Sequence, residues 1–355
     1  MGLRFDAMDS QLLCAKPAQR RKRGRVIGEE WNMVAGLVSV IVPCFNARAT
    51  LSRTLASVLC QTYRSLEVLV VDDGSTDLTL SIAAEFAARD DRVRIITQSN
   101  RGVAAARNRG IAEARGTYIA PIDADDLWRP DKLELQVAAF AANPAVGVVY
   151  TWFDHINERD EIVRGGFRPR DRGQVLERLA RFDFVGNGSN AMMRADLVRA
   201  VGGYDETLRL RGAEGCEDWR LSLAMAERTQ FEVVERPLTG YRLSRAAMSG
   251  DIRRMLDSAR LVADFYSERY PRLAPVFRRH LTDRLGWNVM RALSEGRFRD
   301  AAAVLSEARN IDAATGMMNI ARLPAFAARS SASAVLDALR RRAPGLRRRR
   351  TFLAS

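Results

Sequence analysis

The 355-residue sequence is poor in the residues that staple small folds or bind soft metals, with four cysteines and two histidines. Cys14, Cys44, Cys60 and Cys216 show no Cys-x-x-Cys spacing, and His155 and His280 are the sole imidazoles, so a structural zinc site lacks ligands. A disulfide scaffold is excluded with it, and a reducing, cytoplasmic compartment fits. Long apolar runs are also missing. The best, Gly36 to Phe45, is about half of the roughly 20 residues a spanning helix needs. Asp6 and Asp9 stand where a signal peptide would place its apolar region, so neither a leader nor a transmembrane segment is expected. What is present, 47% hydrophobic and 28% charged residues, supplies a sizeable core and excludes collagen-like and disordered classes.

The formal charge of +13 is unevenly spread. Residues 1–30 hold seven Lys/Arg against four Asp/Glu, and residues 331–355 hold seven against one, so the tails carry +9 and the body is nearly balanced. Runs such as Arg20-Arg21-Lys22-Arg23 and Arg347 to Arg350 read first as solvated tails and next as contacts to an anionic membrane surface. Arginines interspersed with Leu339, Leu346, Phe352 and Leu353 suggest peripheral attachment to the inner, cytoplasmic face of a membrane. Nucleic acid is not an expected partner: no recognisable module or basic–aromatic interleaving is present.

From about Leu37 short β-branched runs alternate with helical periodicity. Val38 to Val42, Leu66 to Val71, Val93 to Thr97 and Tyr118 to Ile122 read as strands. They alternate with helices through Leu51 to Leu59, Leu78 to Ala88, Val103 to Ala114 and Lys132 to Ala141. Nearly continuous apolar strands separated by amphipathic helices imply an α/β fold with a mostly parallel, Rossmann-like sheet flanked by helices. Such sheets bind ligands beyond the carboxyl ends of their strands. Here those ends carry Pro43-Cys44-Phe45-Asn46, Asp72-Asp73-Gly74-Ser75, Asn100-Arg101-Gly102 and Asp123-Ala124-Asp125-Asp126. From Asp251 to Leu339 the pattern is mainly α-helical, with breaks expected at Pro271, Pro275, Gly316 and Pro324.

The first acidic segment alone is compatible with a turn and a helix cap. The second is harder to explain structurally, because carboxylates two and three positions apart repel one another unless a cation or solvent relieves them. Mg²⁺ and Mn²⁺ favour one or two carboxylates plus phosphate oxygens and water, so an Asp-x-Asp at a nucleotide pocket suits a metal–diphosphate.

Together, Val38 to Asn46, Val70-Val71-Asp72-Asp73-Gly74-Ser75, Ala105-Ala106-Arg107-Asn108-Arg109-Gly110 and Tyr118 to Asp126 resemble the motif series of family 2 glycosyltransferases. Gly202-Gly203-Tyr204-Asp205 and Glu217-Asp218-Trp219 continue it, so the resemblance covers about residues 37–245 in the family's order. It implies a GT-A fold and single-displacement, inverting, metal-dependent transfer of one sugar from a nucleotide-diphosphate sugar, with uridine the expected base. The acceptor would be a hydroxyl of a glycan, lipid-linked or protein substrate in cell-surface glycan or glycoconjugate biosynthesis.

Carried over residue by residue, the resemblance places Pro43, Asn46, Asp72 and Asp73 at the nucleotide, with Asp72 on the base. Arg107 falls near base or diphosphate, Asp123 at the ribose and Asp125 on the divalent cation, Mg²⁺ or Mn²⁺. Asp218, with Glu217 second, is the expected general base, taking the acceptor proton opposite the leaving group. As bland alternatives, two acids in a first helical turn merely complement the helix dipole, and Trp219 either packs beneath the sugar site or stacks on a pyranose. The implied division is a basic, disordered tail over 1–35, a donor half over 36–150, an acceptor half over 151–250, a helical region over 251–339 and a basic tail over 340–355.

Where relatives often show Tyr-Arg-x-His, this chain has Tyr241-Arg242-Leu243-Ser244, which implies either that Arg242 or Arg245 takes the phosphate role or that metal dependence is weaker. The Gln-x-x-Arg-Trp motif of processive synthases is absent. The alternative function, from a different class, is a catalytically degenerate nucleotide-sugar-binding or scaffolding protein docked through its basic tails. The intact Asp125 and Asp218 argue against it.

Overall fold

The computed structural model describes residues 33–243, 251–294, 296, 298, 301–302 and 351–354. The first half alternates strand and helix: β1 (Val34–Cys44), α1 (Leu51–Leu59), β2 (Leu66–Asp72), α2 (Thr79–Arg89), β3 (Val93–Thr97), α3 (Val103–Glu113) and β4 (Gly116–Pro121). Then come β5 (Leu127–Trp128), α4 (Lys132–Ala142), β6 (Val146–Ile156), β7 (Ile162–Gly165), α5 (Leu176–Arg181), β8 (Met192–Arg194), α6 (Ala195–Ala200) and α7 (Thr207–Leu210). The remaining elements are α8 (Glu217–Ala226), β9 (Gln230–Arg242), α9 (Ile252–Arg269) and α10 (Ala274–Ser294).

In β1 successive side chains alternate between the sheet's two faces, and both faces are covered. Val38, Val40 and Val42 belong to one core cluster and Ile41 to the other, all without solvent exposure. That two-sided burial is why the strand reads as an unbroken β-branched run. Leu55, Val58, Trp128 and Phe140 fill the first core; Leu69, Trp219, Phe231 and Phe277 fill the second.

One sheet runs in the order β3-β2-β1-β4-β8-β6-β9-β5, with β7 paired to β6. Strands β3, β2, β1 and β4 are parallel. β8 joins β4 and β6 antiparallel, β6 and β9 are parallel, and β5 closes the edge antiparallel to β9. The α/β, GT-A architecture read from the sequence is present, with the parallel half extended by a mixed one, and β6 runs across residue 150. The chain leaves β1 toward β2 and β3 on one side and returns to β4 on the other. In open α/β sheets such a reversal is where a ligand crevice is expected, here between the loops after β1 and β4.

Helix α9 is capped by Asp251, whose side chain accepts the Arg254 N–H at 3.1 Å, and a turn at Pro271–Leu273 separates it from α10. Pro275 lies in the first turn of α10, where its missing N–H has no helical partner to lose, so the break expected there does not occur. The expected breaks at Gly316 and Pro324, and nearly all of both basic tails, lie outside the described residues. Among the described residues no helix is long and apolar enough to cross a membrane.

Candidate active site

At the ends of β1 and β2, Cys44 pairs with Asp72 in register, which brings the first two motifs side by side. Pro43 is buried within β1, while Asn46 leads into the crevice with a φ of 51°, a left-handed conformation that Asn tolerates. Its N–H donates to Ser75 Oγ at 2.9 Å and its Oδ1 accepts the Thr76 N–H at 2.9 Å, tying the two loops together. Gly74, at φ 79°, has Asn100 N within 3.0 Å of where a Cβ would sit.

The adjacent acids Asp72 and Asp73 diverge. Asp73 accepts from Gln98 Nε2, Arg101 N and Gly102 N, each at 2.8 Å, so its two oxygens organise the loop that starts α3. Although expected at the nucleotide, it is consumed by protein donors. Asp72 is equally buried, and its Oδ2 accepts the Ser75 N–H at 3.3 Å, but Oδ1 has no partner among the described residues. An unsatisfied buried carboxylate oxygen is costly, and a nucleobase N–H is a donor that would fit it.

Beyond β4 the three acids also differ. Asp126 is fully buried and accepts the Ser189 hydroxyl at 2.5 Å and the Arg242 N–H at 2.8 Å; burial and the neighbouring Asp125 and Asp123 push its carboxyl well up. Asp125 is raised to about 6, by burial first and Asp123 second, with Arg242 opposing. Asp123 receives Arg107 Nη2 at 2.5 Å. No group of three or more metal-ligating side chains occurs among the described residues. Asp125, with Asp123 as its neighbour, offers one or two carboxylates, a donor set that a hard cation accepts only with diphosphate oxygens and water completing its shell.

Arg242 is not free for a phosphate. It is 2% exposed, donates Nε to the Asp125 carbonyl at 2.6 Å and Nη2 to Asp160 at 2.6 Å, and reaches the Asn157 carbonyl through Nη1. The phosphate role considered for it is thus corrected: its donors hold backbone and carboxylate. Ser244 and Arg245 lie outside the described residues.

Arg107 joins this edge to α8. Carried on α3 and 3% exposed, it pairs with Asp123 on one side and donates Nη1 to Glu217 Oε1 at 2.9 Å on the other, its guanidinium 5.1 Å from the Tyr204 ring centre. Glu217 Oε2 also accepts the Gly215 N–H at 3.0 Å. Asp218, at the next position, keeps part of its surface open, and the Trp219 N–H reaches its Oδ1 at 2.8 Å. Burial, then Asp183, then Glu217 push its carboxyl up to about 8, against the pull of Arg107.

Asp183, which the sequence reading did not single out, follows α5. It accepts the Gly186 N–H at 3.4 Å, and burial raises its carboxyl against the pull of Arg284 from α10. Behind the acids Trp219 is fully buried, stacked 4.6 Å from His280 and tilted against Phe277 at 6.0 Å, with Nε1 donating to the Leu179 carbonyl at 3.0 Å. It packs, and no face of it is open to a sugar.

Residues 39–202 match the family model described as Glycosyl transferase family 2. The chain thus carries a family 2 glycosyltransferase domain on a GT-A fold. Chondroitin synthase of Escherichia coli is 38% identical over 131 residues, 37% of this chain and 19% of that protein. The E. coli protein UDP-Glc:alpha-D-GlcNAc-diphosphoundecaprenol beta-1,3-glucosyltransferase WfgD is 40% identical over 122 residues, 34% of this chain and 47% of that one. The matches thus span less than half of either relative's length. Among solved structures, S. aureus TarS 1-349 in complex with UDP-GlcNAc superposes with a TM-score of 0.53 at 19% identity, covering 69% of this chain and 71% of that one. At that identity the likeness is one of fold.

Proposed function

We propose that the chain transfers a single sugar, with inversion, from a uridine-diphosphate sugar to a hydroxyl of a glycan or lipid-linked acceptor. The observation that carries this reading is the Arg107 bridge: one buried guanidinium binds Asp123 of the β4 loop and Glu217 at the start of α8. It draws a donor-type carboxylate loop and an acid pair suited to proton transfer to one place. Uridine is supported by the UDP-Glc in the name of WfgD and by UDP-GlcNAc in the TarS complex. A diphospholipid-linked acceptor is supported by the WfgD name alone.

In this mechanism the Asp72 Oδ1 accepts a base N–H, and Pro43 and Asn46 line the nucleotide cleft. Asp123, with Arg107 holding its carboxylate, faces the ribose. Asp125, with Asp123 nearby, would hold a divalent cation, which when bound offsets the charge growing on the leaving diphosphate. Asp218 takes the acceptor hydroxyl's proton as the oxygen attacks the anomeric carbon and the bond to the diphosphate oxygen breaks. Its raised affinity for a proton suits a base working near neutral pH. Peripheral membrane contact through the basic tails remains part of the proposal, with one change. Phe352 is fully buried against Leu127 and Ile156, so that ring is not available for insertion.

The test is a thermal-shift screen of the full chain against nucleotide sugars with Mn²⁺, because a bound donor stabilises by RT ln(1 + [L]/Kd). UDP-sugars should raise the melting temperature and other nucleotide sugars should not. No shift with any of them would sink the donor reading.

A further inference from the structure

Far along the chain from the motifs, Thr351–Ala354 rests against the back of the site. Thr351 bridges Glu161 in antiparallel fashion, and the Phe352 N–H donates to the Asp160 carbonyl at 2.8 Å. The Phe352 ring is fully buried with Leu127 and Ile156, and the Arg129 guanidinium lies 4.6 Å from its centre. At Gly240 a Cβ would come within 3.0 Å of that ring, so the bare backbone there makes its seat.

Asp160 is the next link. It lies between β6 and β7 at φ 61°, in the left-handed region that Asp, like Asn, adopts more readily than most L-residues. Its carbonyl is held by Phe352 N–H, while its carboxylate takes Arg53 Nη1 at 2.9 Å and Arg242 Nη2 at 2.6 Å. Arg242 in turn holds the Asp125 carbonyl and, through its own N–H, Asp126 Oδ1. An unbroken series of contacts therefore runs from Phe352 through Asp160 and Arg242 to the acidic loop after β4.

We propose that Phe352 is a positioning residue for the donor site, clasping the β6–β7 turn so that Asp160 and Arg242 hold the Asp125 backbone in its binding conformation. Its functional half rests on the reading of Asp125 as a donor-side residue; its structural half does not. Carboxylates crowded at Asp123–Asp126 favour splaying apart, and Arg242 opposes this only while its guanidinium is aimed at the Asp125 carbonyl. Asp160 supplies the aim, and Phe352 keeps Asp160 in place.

The experiment compares wild type, Phe352→Ala, Phe352→Leu and Leu285→Ala, a core change in the separate cluster between α9 and α10. Amide hydrogen exchange is followed without metal or nucleotide, and UDP binding with Mn²⁺ is measured by calorimetry. In Phe352→Ala the Asp126 and Arg242 amides should exchange about tenfold faster, and UDP affinity should fall about fivefold. Phe352→Leu should recover much of both, and Leu285→Ala should alter neither even at an equal loss of melting temperature. Unchanged exchange at Asp126 and Arg242 in Phe352→Ala, or equal changes in Leu285→Ala, would overturn the clasp. If Phe352→Ala does not fold, Asp160→Asn breaks the same series midway and should show the same pattern of exchange and binding. Should wild type bind no UDP, the donor reading falls, while the exchange rates alone still decide the clasp.

Discussion

Two acidic segments meet across Arg107, one after β4 and one at the start of α8, and each divides its work in the same way. After β4, Asp126 is saturated by Ser189 and Arg242, while Asp125 is held by its carbonyl and its carboxyl is driven up to about 6. In α8, Glu217 is taken by Arg107 and Gly215, while Asp218 is left under-compensated and driven up to about 8. The segments differ in company: Asp125 shares its site with other acids of its own loop, whereas Asp218 faces Asp183 from a different element. Neighbouring acids in one motif thus differ in their ties, one bound up in fixing its loop and the other, under the proposed function, kept for chemistry.

The largest effects should fall on the ready partners. Asp125→Ala should abolish sugar transfer in a radiolabel assay, and EDTA should do the same to wild type, with Mn²⁺ or Mg²⁺ restoring it. Full activity in chelator would remove Asp125 from the metal. On the other segment, Asp218→Asn should lower kcat by roughly 10²- to 10⁴-fold with UDP affinity unchanged. Glu217→Gln should behave differently, losing about 1.5–3 kcal/mol of unfolding free energy because a charged partner of buried Arg107 is weakened. Reversal of those two phenotypes would exchange the roles assigned within the pair.

A pH series sharpens the same contrast. Since Asp218 must be ionised to accept a proton, kcat/KM should climb with pH and level off above about 8, a limb that Asp218→Asn should lack. Stability moves the other way. A carboxyl whose folded pKa of about 8 stands above its ordinary 3.8 binds its proton more tightly when folded. Its contribution is full below about 4 and is lost as pH rises through 8. Denaturant titrations of wild type and Asp218→Asn should converge as pH falls through this window. The smallest effects belong to the β2 pair. Asp73→Ala should cost about 1–3 kcal/mol of stability through its orphaned donors. Asp72→Ala should leave stability nearly intact and weaken UDP binding by about tenfold.

The first four strands and their helices were legible because each arises from a contiguous run whose partner follows immediately. The later sheet was not. β5 and β8 have two and three residues, too short to show a period, and β9 contains Pro237 where its register with β6 shifts. Site chemistry followed a similar divide. Strand ends and the family resemblance singled out Asp72, Asp73, Asp123, Asp125, Glu217 and Asp218, but which acid of each segment is saturated depends on distant donors such as Gln98, Ser189 and Arg107. Nothing local marks Asp183, whose relevance arises from α5 packing beside α8, or distinguishes Arg242 as a strut from Arg242 as a phosphate ligand.

Trp219 stacks on His280 and lies tilted against Phe277, both from α10. The family match stops at residue 202, before α8, yet the core face beneath the acid pair is completed by α9 and α10. The matched sequence unit is therefore smaller than the packed core it belongs to. A chimera that grafts residues 39–202 onto another scaffold would leave out α8, β9 and Trp219 itself, so its host would have to complete that core, or the donor motifs would sit on a sheet covered only in part.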